Sequence, residues 1–225
     1  MSPTLKTGRE MSTTRRVLRA RGTTRRRSVL ASPVHINTDA VSAILAPIYA
    51  ALPNTQAAGD HNLTYGEVEW STLKLIVDYA NKQEFKGAGK FYDLGSGRGR
   101  AVLYMALAGP FENSVGIEVL PERVKLTMQA LAKLRESIPT AGLKVKLYEA
   151  SFLDKRFNYR DARVVYLSNG SLDIETQTTL FGKLSIEMPK GSLLVCSSEP
   201  SLELVSAFEK LATVAEFKIT VLRHL

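Results

Sequence analysis

The chain has 225 residues, of which 44% are hydrophobic and 23% charged, enough for one domain with a full core and a short appendage. No stretch approaches 18 uninterrupted apolar residues, so no membrane-spanning helix is expected. The net charge of +8 is uneven: residues 1–36 carry nine basic residues and one acid, Glu10, while the remainder balances at 21 basic and 21 acidic.

That first segment has no sustained apolar period and is expected to be a disordered basic tail. Arg15, Arg16, Arg19, Arg21, Arg25, Arg26 and Arg27 are its candidate nucleic-acid contacts, since clustered cations bind phosphates through counterion release. A mitochondrial presequence, a nuclear-localisation run at Arg25–Arg27 and a merely solvated end are the other readings.

From Asp39 to Leu52, Val41, Ile44, Leu45, Ile48 and Tyr49 recur at helical spacing, with Asn37, Thr38 or Asp39 as N-cap. Pro47 is expected to kink or split this helix. A polar loop over 54–66 leads into Thr64-Tyr65-Gly66-Glu67, and a second helix is predicted from about Val68 to Asn81. Strands are predicted at Phe91–Leu94, Ser114–Val119, Leu143–Tyr148, Val164–Leu167, Ser192–Ser197 and Glu216–Leu222. Helices are predicted at Ala101–Ala108, from Pro121 to about Glu136, at Asp173–Met188 and at Ser201–Leu211. Strands alternating with helices give an α/β fold, a doubly wound and mostly parallel sheet covered on both faces. The expected organisation is a tail (1–36) and one domain (37–225), with helices and a lid loop at 37–81 and a cofactor-binding core at 88–225.

The sharpest feature is a strand, then Asp93-Leu94-Gly95-Ser96-Gly97-Arg98-Gly99-Arg100, then a helix. In a doubly wound sheet a nucleotide sits at the carboxyl end of such a strand, where glycines let the backbone turn and approach it. Glu118 ends the next strand, where an acid accepts hydrogen bonds from ribose hydroxyls. The dinucleotide fingerprint G-x-G-x-x-G is not matched, because Arg100 stands where its third glycine belongs. The observed G-x-G-x-G, with an acid two residues before it, resembles the first motif of class I methyltransferases, whose cofactor has no pyrophosphate. No P-loop lysine motif is present. Downstream, Ser151 and Phe152 follow the third strand, where an adenine would lie, and Ser168-Asn169-Gly170 follows the fourth. Phe152 as plain core and Asn169-Gly170 as a plain turn remain open. His35, His61 and His224 have no ligand spacing, and no metal is expected. Cys196, the single cysteine, lies in an apolar run and is expected to be a core thiol.

Taken together, Thr64–Glu67, Phe91–Arg100 with Val102-Leu103, Ser151-Phe152 and Ser168-Asn169 resemble the Dot-one-like histone-lysine methyltransferases, over roughly residues 55–200. The resemblance implies a seven-stranded class I fold, S-adenosylmethionine as cofactor and a nucleosomal lysine as acceptor. It implies that Tyr65 and Glu67 form a lid over the methionine part of the cofactor, with Asp93, Gly95 and Gly97 beneath it. Ser96 and Arg100 belong to the same loop, Glu118 takes the ribose, and Ser151 and Phe152 take the adenine. Asn169 is implied near the methyl and the acceptor nitrogen, which makes Asn169 and Tyr65 the candidate catalytic residues. Histones and DNA, gripped by the tail, are the implied partners, and the nucleus the implied location. Two features depart from the family: Ser168-Asn169 stands where paired Asn is common, and Val68 where Thr is common. The chain is also expected to stop at Leu225 before a complete terminal hairpin, and so to lack an aromatic wall of the lysine channel. Two rivals differ in kind: a class I methyltransferase for another substrate, mitochondrial if the tail is cleaved, and a non-catalytic nucleic-acid-binding protein on a methyltransferase-like scaffold.

Overall fold

The computed structural model describes residues 36–55, 66–85 and 89–225. The tail arginines, His35, His61 and Tyr65 lie outside these. Ser32–Leu225 forms one compact unit.

Asn37 caps the first described helix. Its side-chain oxygen accepts from the Asp39 N–H at 2.8 Å, and α1 (Thr38–Ala50) follows. Pro47 does not split α1. Ala43 and Pro47 both lie on the exposed side of the helix, so the carbonyl that loses its proline-side partner can be hydrated. The second helix, α2 (Trp70–Asn81), starts two residues later than its apolar pattern suggested. Residues 66–69 stay irregular, and the Val68 carbonyl accepts from Arg100 at 3.0 Å.

Then come β1 (Lys90–Leu94), α3 (Arg100–Ala108), β2 (Asn113–Glu118), α4 (Pro121–Ser137) and β3 (Val145–Glu149). Pro121 opens α4 at the first helical position, where its missing N–H costs nothing. They are followed by β4 (Ala162–Leu167), α5 (Ile174–Glu187), β5 (Leu193–Cys196), β6 (Phe208–Val214) and β7 (Ile219–His224).

The predicted helix at Ser201–Leu211 is not formed. Turns over 201–207 lead into β6, the edge strand that pairs only with β7. A register shift between Lys210 and Ala212 breaks the period-2 alternation of β6. Leu204, Val205, Phe208 and Leu211 fall at helical spacing because the first two sit in turns with i→i+3 hydrogen bonds and the bulge then shifts Leu211 out of alternation with Phe208. With Phe208–Val214 as a strand, β6 and β7 make an antiparallel hairpin, and the expected truncation before a terminal hairpin is corrected.

The sheet order is β3-β2-β1-β4-β5-β7-β6. The first five strands are parallel, and β7 is antiparallel to both its neighbours. The order reverses at β1/β4, which is the switch point where ligands bind in such sheets. Side chains alternate between the faces, as period 2 requires. Phe91, Val164 and Tyr166 pack with α1–α4 on one face, while Tyr92, Leu94, Val165 and Leu167 pack with α5 on the other. The second face is completed by loop residues such as Phe152 and Tyr159 rather than by further helices. Cys196 is fully buried there, and burial raises its thiol pKa, so it is a core residue. Among the described residues, no helix is long and apolar enough to cross a membrane.

Candidate active site

A cleft of about 1020 Å³ opens at the carboxyl ends of β1, β2 and β4. Its walls include Glu67, Asp93, Gly95, Ser96, Gly97, Arg100, Glu118, Ser151 and Phe152, nine of the residues singled out in the sequence.

The loop after β1 is shaped from below. Gly95, Gly97 and Gly99 all have positive φ. At Gly95 (φ +80°) a Cβ would meet nothing within 4 Å, so the backbone borders open space there. The N–H groups of Gly95 and Ser96 both donate to the Ile117 carbonyl, at 2.9 and 3.1 Å. The Gly97 N–H donates to Glu118 Oε2 at 2.8 Å. Donors that would form an anion nest are therefore turned into the protein, which disfavours a pyrophosphate.

Glu118 also accepts from the Val119 and Leu120 N–H groups through Oε1, at 2.9 and 3.0 Å. Oε2, which accepts only from Gly97, keeps lone-pair capacity for a ribose hydroxyl. Asp93 is 4% exposed, and among the described residues no cation pairs with it. Burial, then the charge of Glu118, pushes its carboxyl up to about 8. A buried carboxylate of this kind gains most from a cationic ligand.

Glu67 is engaged with protein groups. It pairs with Arg98 and with Arg100. Arg98 donates from Nε to Glu67 at 2.8 Å and from NH1 to the Pro53 carbonyl at 2.8 Å. Arg100 stacks over Trp70, 4.5 Å from the ring centroid. Segment 66–69 is thereby fastened to the loop after β1. Arg98 was missed in the sequence because it stands at a variable position of the glycine motif. The signal was a basic residue between two glycines, with an acid in the loop expected above them.

Ser151 Oγ accepts from the Leu153 N–H at 3.2 Å, which leaves its O–H as a donor. The Phe152 carbonyl accepts from the Tyr159 hydroxyl at 2.7 Å, which fixes the segment that carries the Phe152 ring. Asn169 does not join these residues. It is 2% exposed and lines neither this cleft nor its neighbour. Its Oδ1 accepts from the Ser198 N–H at 2.9 Å and ties the end of β4 to the loop after β5. Arg123, Tyr166, Leu172 and Thr176 line the cleft without having been singled out.

A second cleft of about 980 Å³ adjoins the first. It shares Gly66, Glu67, Val68, Tyr166 and Ser168 with it and adds Glu69, Thr72, Ser197, Glu216 and Phe217. Phe217 sits on the β6–β7 turn and lines this second cleft.

Residues 48–207 match the family described as histone methylation protein DOT1. The chain belongs to that family. It is an S-adenosylmethionine-dependent methyltransferase. No curated protein sequence matches it. Among solved structures, an RNA methyltransferase from Salinibacter ruber, in complex with S-adenosylhomocysteine, is similar. It shares 23% identity at a TM-score of 0.50, covering 71% of this chain and 92% of that one. The tRNA (m1A58) methyltransferase TrmI from Aquifex aeolicus shares 12% identity at a TM-score of 0.53, covering 81% of this chain and 76% of that one. At these identities the likeness is one of fold, the class I methyltransferase sheet. For this DOT1-family chain, the buried acid, the open wall at Gly95 and the hydroxyl acceptor at Glu118 Oε2 fit a cationic nucleoside cofactor.

Proposed function

We propose that this chain transfers a methyl group from S-adenosylmethionine to a lysine of a nucleosomal histone, in the nucleus. The observation that carries the reading is the junction of the two clefts, one suited to a cationic nucleoside and the other open to an acceptor. Asp93 holds the cofactor's ammonium, Glu118 its ribose, and Ser151 and Phe152 its adenine. Segment 66–69, pinned by Arg98 and Arg100, covers its methionine part, together with Tyr65. Asn169 acts by positioning the end of β4.

When bound, the cofactor supplies a methyl on a sulfonium, an electrophile that is already activated. The protein's contribution is then alignment and a dry channel. Tyr166 and Phe217 supply apolar walls for the lysine stem, and a low-polarity channel favours the neutral, nucleophilic amine. Glu69 and Glu216, which outnumber Lys218 at the second cleft, suit a basic histone segment. The Arg-rich tail at 15–27 grips nucleosomal DNA.

The test is radiolabelled methyl transfer to nucleosomes, free histones and a lysine-rich protein, with the full chain and with residues 1–36 deleted. Label on nucleosomes, lost with Glu118→Ala and weakened by the deletion, supports the reading. Cofactor binding without label on any nucleosome or histone overturns it and favours a class I methyltransferase with another substrate.

A further inference from the structure

The two clefts meet along a narrow strip. Gly66–Val68 forms one side, and Tyr166 and Ser168 form the other. Tyr166 is the largest side chain common to both. It lies on β4 in register with Asp93 on β1, and both point to the same face of the sheet. It is 7% exposed, so nearly all of the ring is packed. Among the described residues no hydrogen bond reaches its hydroxyl, yet that oxygen is not one of the sealed, unsatisfied atoms. What exposure the side chain keeps therefore opens onto the clefts. A phenol held rigidly by packing, with its oxygen unpartnered, is an incomplete hydrogen-bonding site.

Other described tyrosines with deeply buried rings use their hydroxyls. Tyr49 donates to the Arg98 carbonyl at 3.1 Å, Tyr104 to the Thr38 carbonyl at 3.1 Å and Tyr159 to the Phe152 carbonyl at 2.7 Å. Tyr166 is the exception among these four, and it stands where donor and acceptor must meet.

We propose that Tyr166 is a catalytic residue whose phenolic oxygen accepts a hydrogen bond from the acceptor amine at the junction of the clefts. The inference rests on the methyltransferase reading above. An amine that gives one N–H to Tyr166 has its lone pair free and its rotation restricted. That lone pair forms the new N–C bond as the S–C bond breaks with its electron pair on sulfur. The nitrogen becomes an ammonium, which then loses a proton to solvent. Burial, then the neighbouring Asp93 and Cys196, raise the Tyr166 pKa, so it keeps its proton. It orients the amine and stabilises its growing charge, and it is not the base.

Two cofactor-like inhibitors test this without turnover. Both carry an alkyl arm on a nitrogen that replaces the cofactor's sulfur. One arm ends in an amine and the other in a methyl group. The wild-type protein is expected to bind the amine form about tenfold more tightly, a typical worth for one charge-assisted hydrogen bond. Tyr166→Phe keeps the ring, the thermal midpoint and the affinity for S-adenosylhomocysteine, but loses the preference. In the methyl-transfer assay the same variant lowers kcat about tenfold. An unchanged amine preference in Tyr166→Phe, or an equal loss of affinity for both inhibitors and for S-adenosylhomocysteine, overturns the proposal. A wild-type protein that prefers the amine arm yet labels no histone overturns the substrate reading and leaves Tyr166 in place.

Discussion

Asp93 on β1 lies in register with Tyr166 on β4, across the point where the strand order reverses. One is an uncompensated buried acid that faces the cofactor cleft, and the other an unpartnered phenol where that cleft meets its neighbour. Neighbouring strands lie ~5 Å apart, so the sheet sets a cation-seeking group beside a hydrogen-bonding group. Neither group is stabilising in itself, and both gain from ligands.

Cofactor affinity should rise with pH. With its carboxyl pushed up to about 8, Asp93 is protonated in the free protein at neutral pH and must lose that proton to bind a cation. Between pH 5.5 and 7.5 the affinity should climb by up to about tenfold per unit, with proton release measurable by calorimetry in buffers of different ionisation enthalpy. Asp93→Asn should bind weakly and without pH dependence. A flat profile in the wild-type protein would show that Asp93 does not contact the cationic end.

The same shift predicts a stability effect of definite sign. The folded protein keeps the Asp93 proton up to about pH 8, whereas an unfolded chain loses it near pH ~4. Folding thus binds more protons in that window, and this group lowers stability as pH rises from about 4 to 8. Asp93→Asn should raise the ligand-free Tm at pH 7.5 by about 4 °C or more, and by less at pH 5. A Tm difference that does not change with pH would contradict this.

Glu67 should prove to be a clamp as much as a lid. Glu67→Gln removes the carboxylate paired with the buried Arg98, whose guanidinium also donates to the Pro53 carbonyl. Breaking such a pair from one side should cost about 2–4 kcal/mol, read as a shift of the urea midpoint. A Glu67→Gln/Arg98→Leu double variant should recover part of the loss. Full stability in Glu67→Gln would mean that the clamp contributes nothing.

Most of the fold is legible in the sequence because the central elements carry consistent signals. The β1 loop joins positive-φ glycines, a following helix and an acid spaced to reach back, and the structure closes that circuit with the Gly97-to-Glu118 hydrogen bond. The terminal hairpin was not legible, because the turns over 202–207 and the bulge near Leu211 together give a helical period to the approach and start of an edge strand that tertiary pairing holds extended. Asn169 carried a family expectation that its burial and its bond to Ser198 redirect. Tyr166 was hidden inside an apolar strand, and only the register with Asp93 reveals it.

The glycines of the loop should separate stability from binding. At Gly99 (φ +75°) a Cβ would stand 2.2 Å from Thr127 Cγ2, while Thr127 Oγ1 donates to the Gly97 carbonyl at 3.2 Å and keys α4 to the loop. Gly99→Ala should therefore cost about 3 kcal/mol, combining overpacking with left-handed strain. Thr127→Ser, which removes Cγ2 and keeps the hydroxyl, should restore about half of that. At Gly95 a Cβ meets only open space, so Gly95→Ala should cost about 1 kcal/mol of backbone strain. Its affinity for S-adenosylhomocysteine should nevertheless fall about tenfold or more, because that open space is where a ligand must approach the backbone. Thermal midpoints and calorimetric Kd values on the three variants decide it. If Gly95→Ala binds as the wild type does, the ligand does not approach the loop at Gly95, and the cofactor position proposed above is wrong.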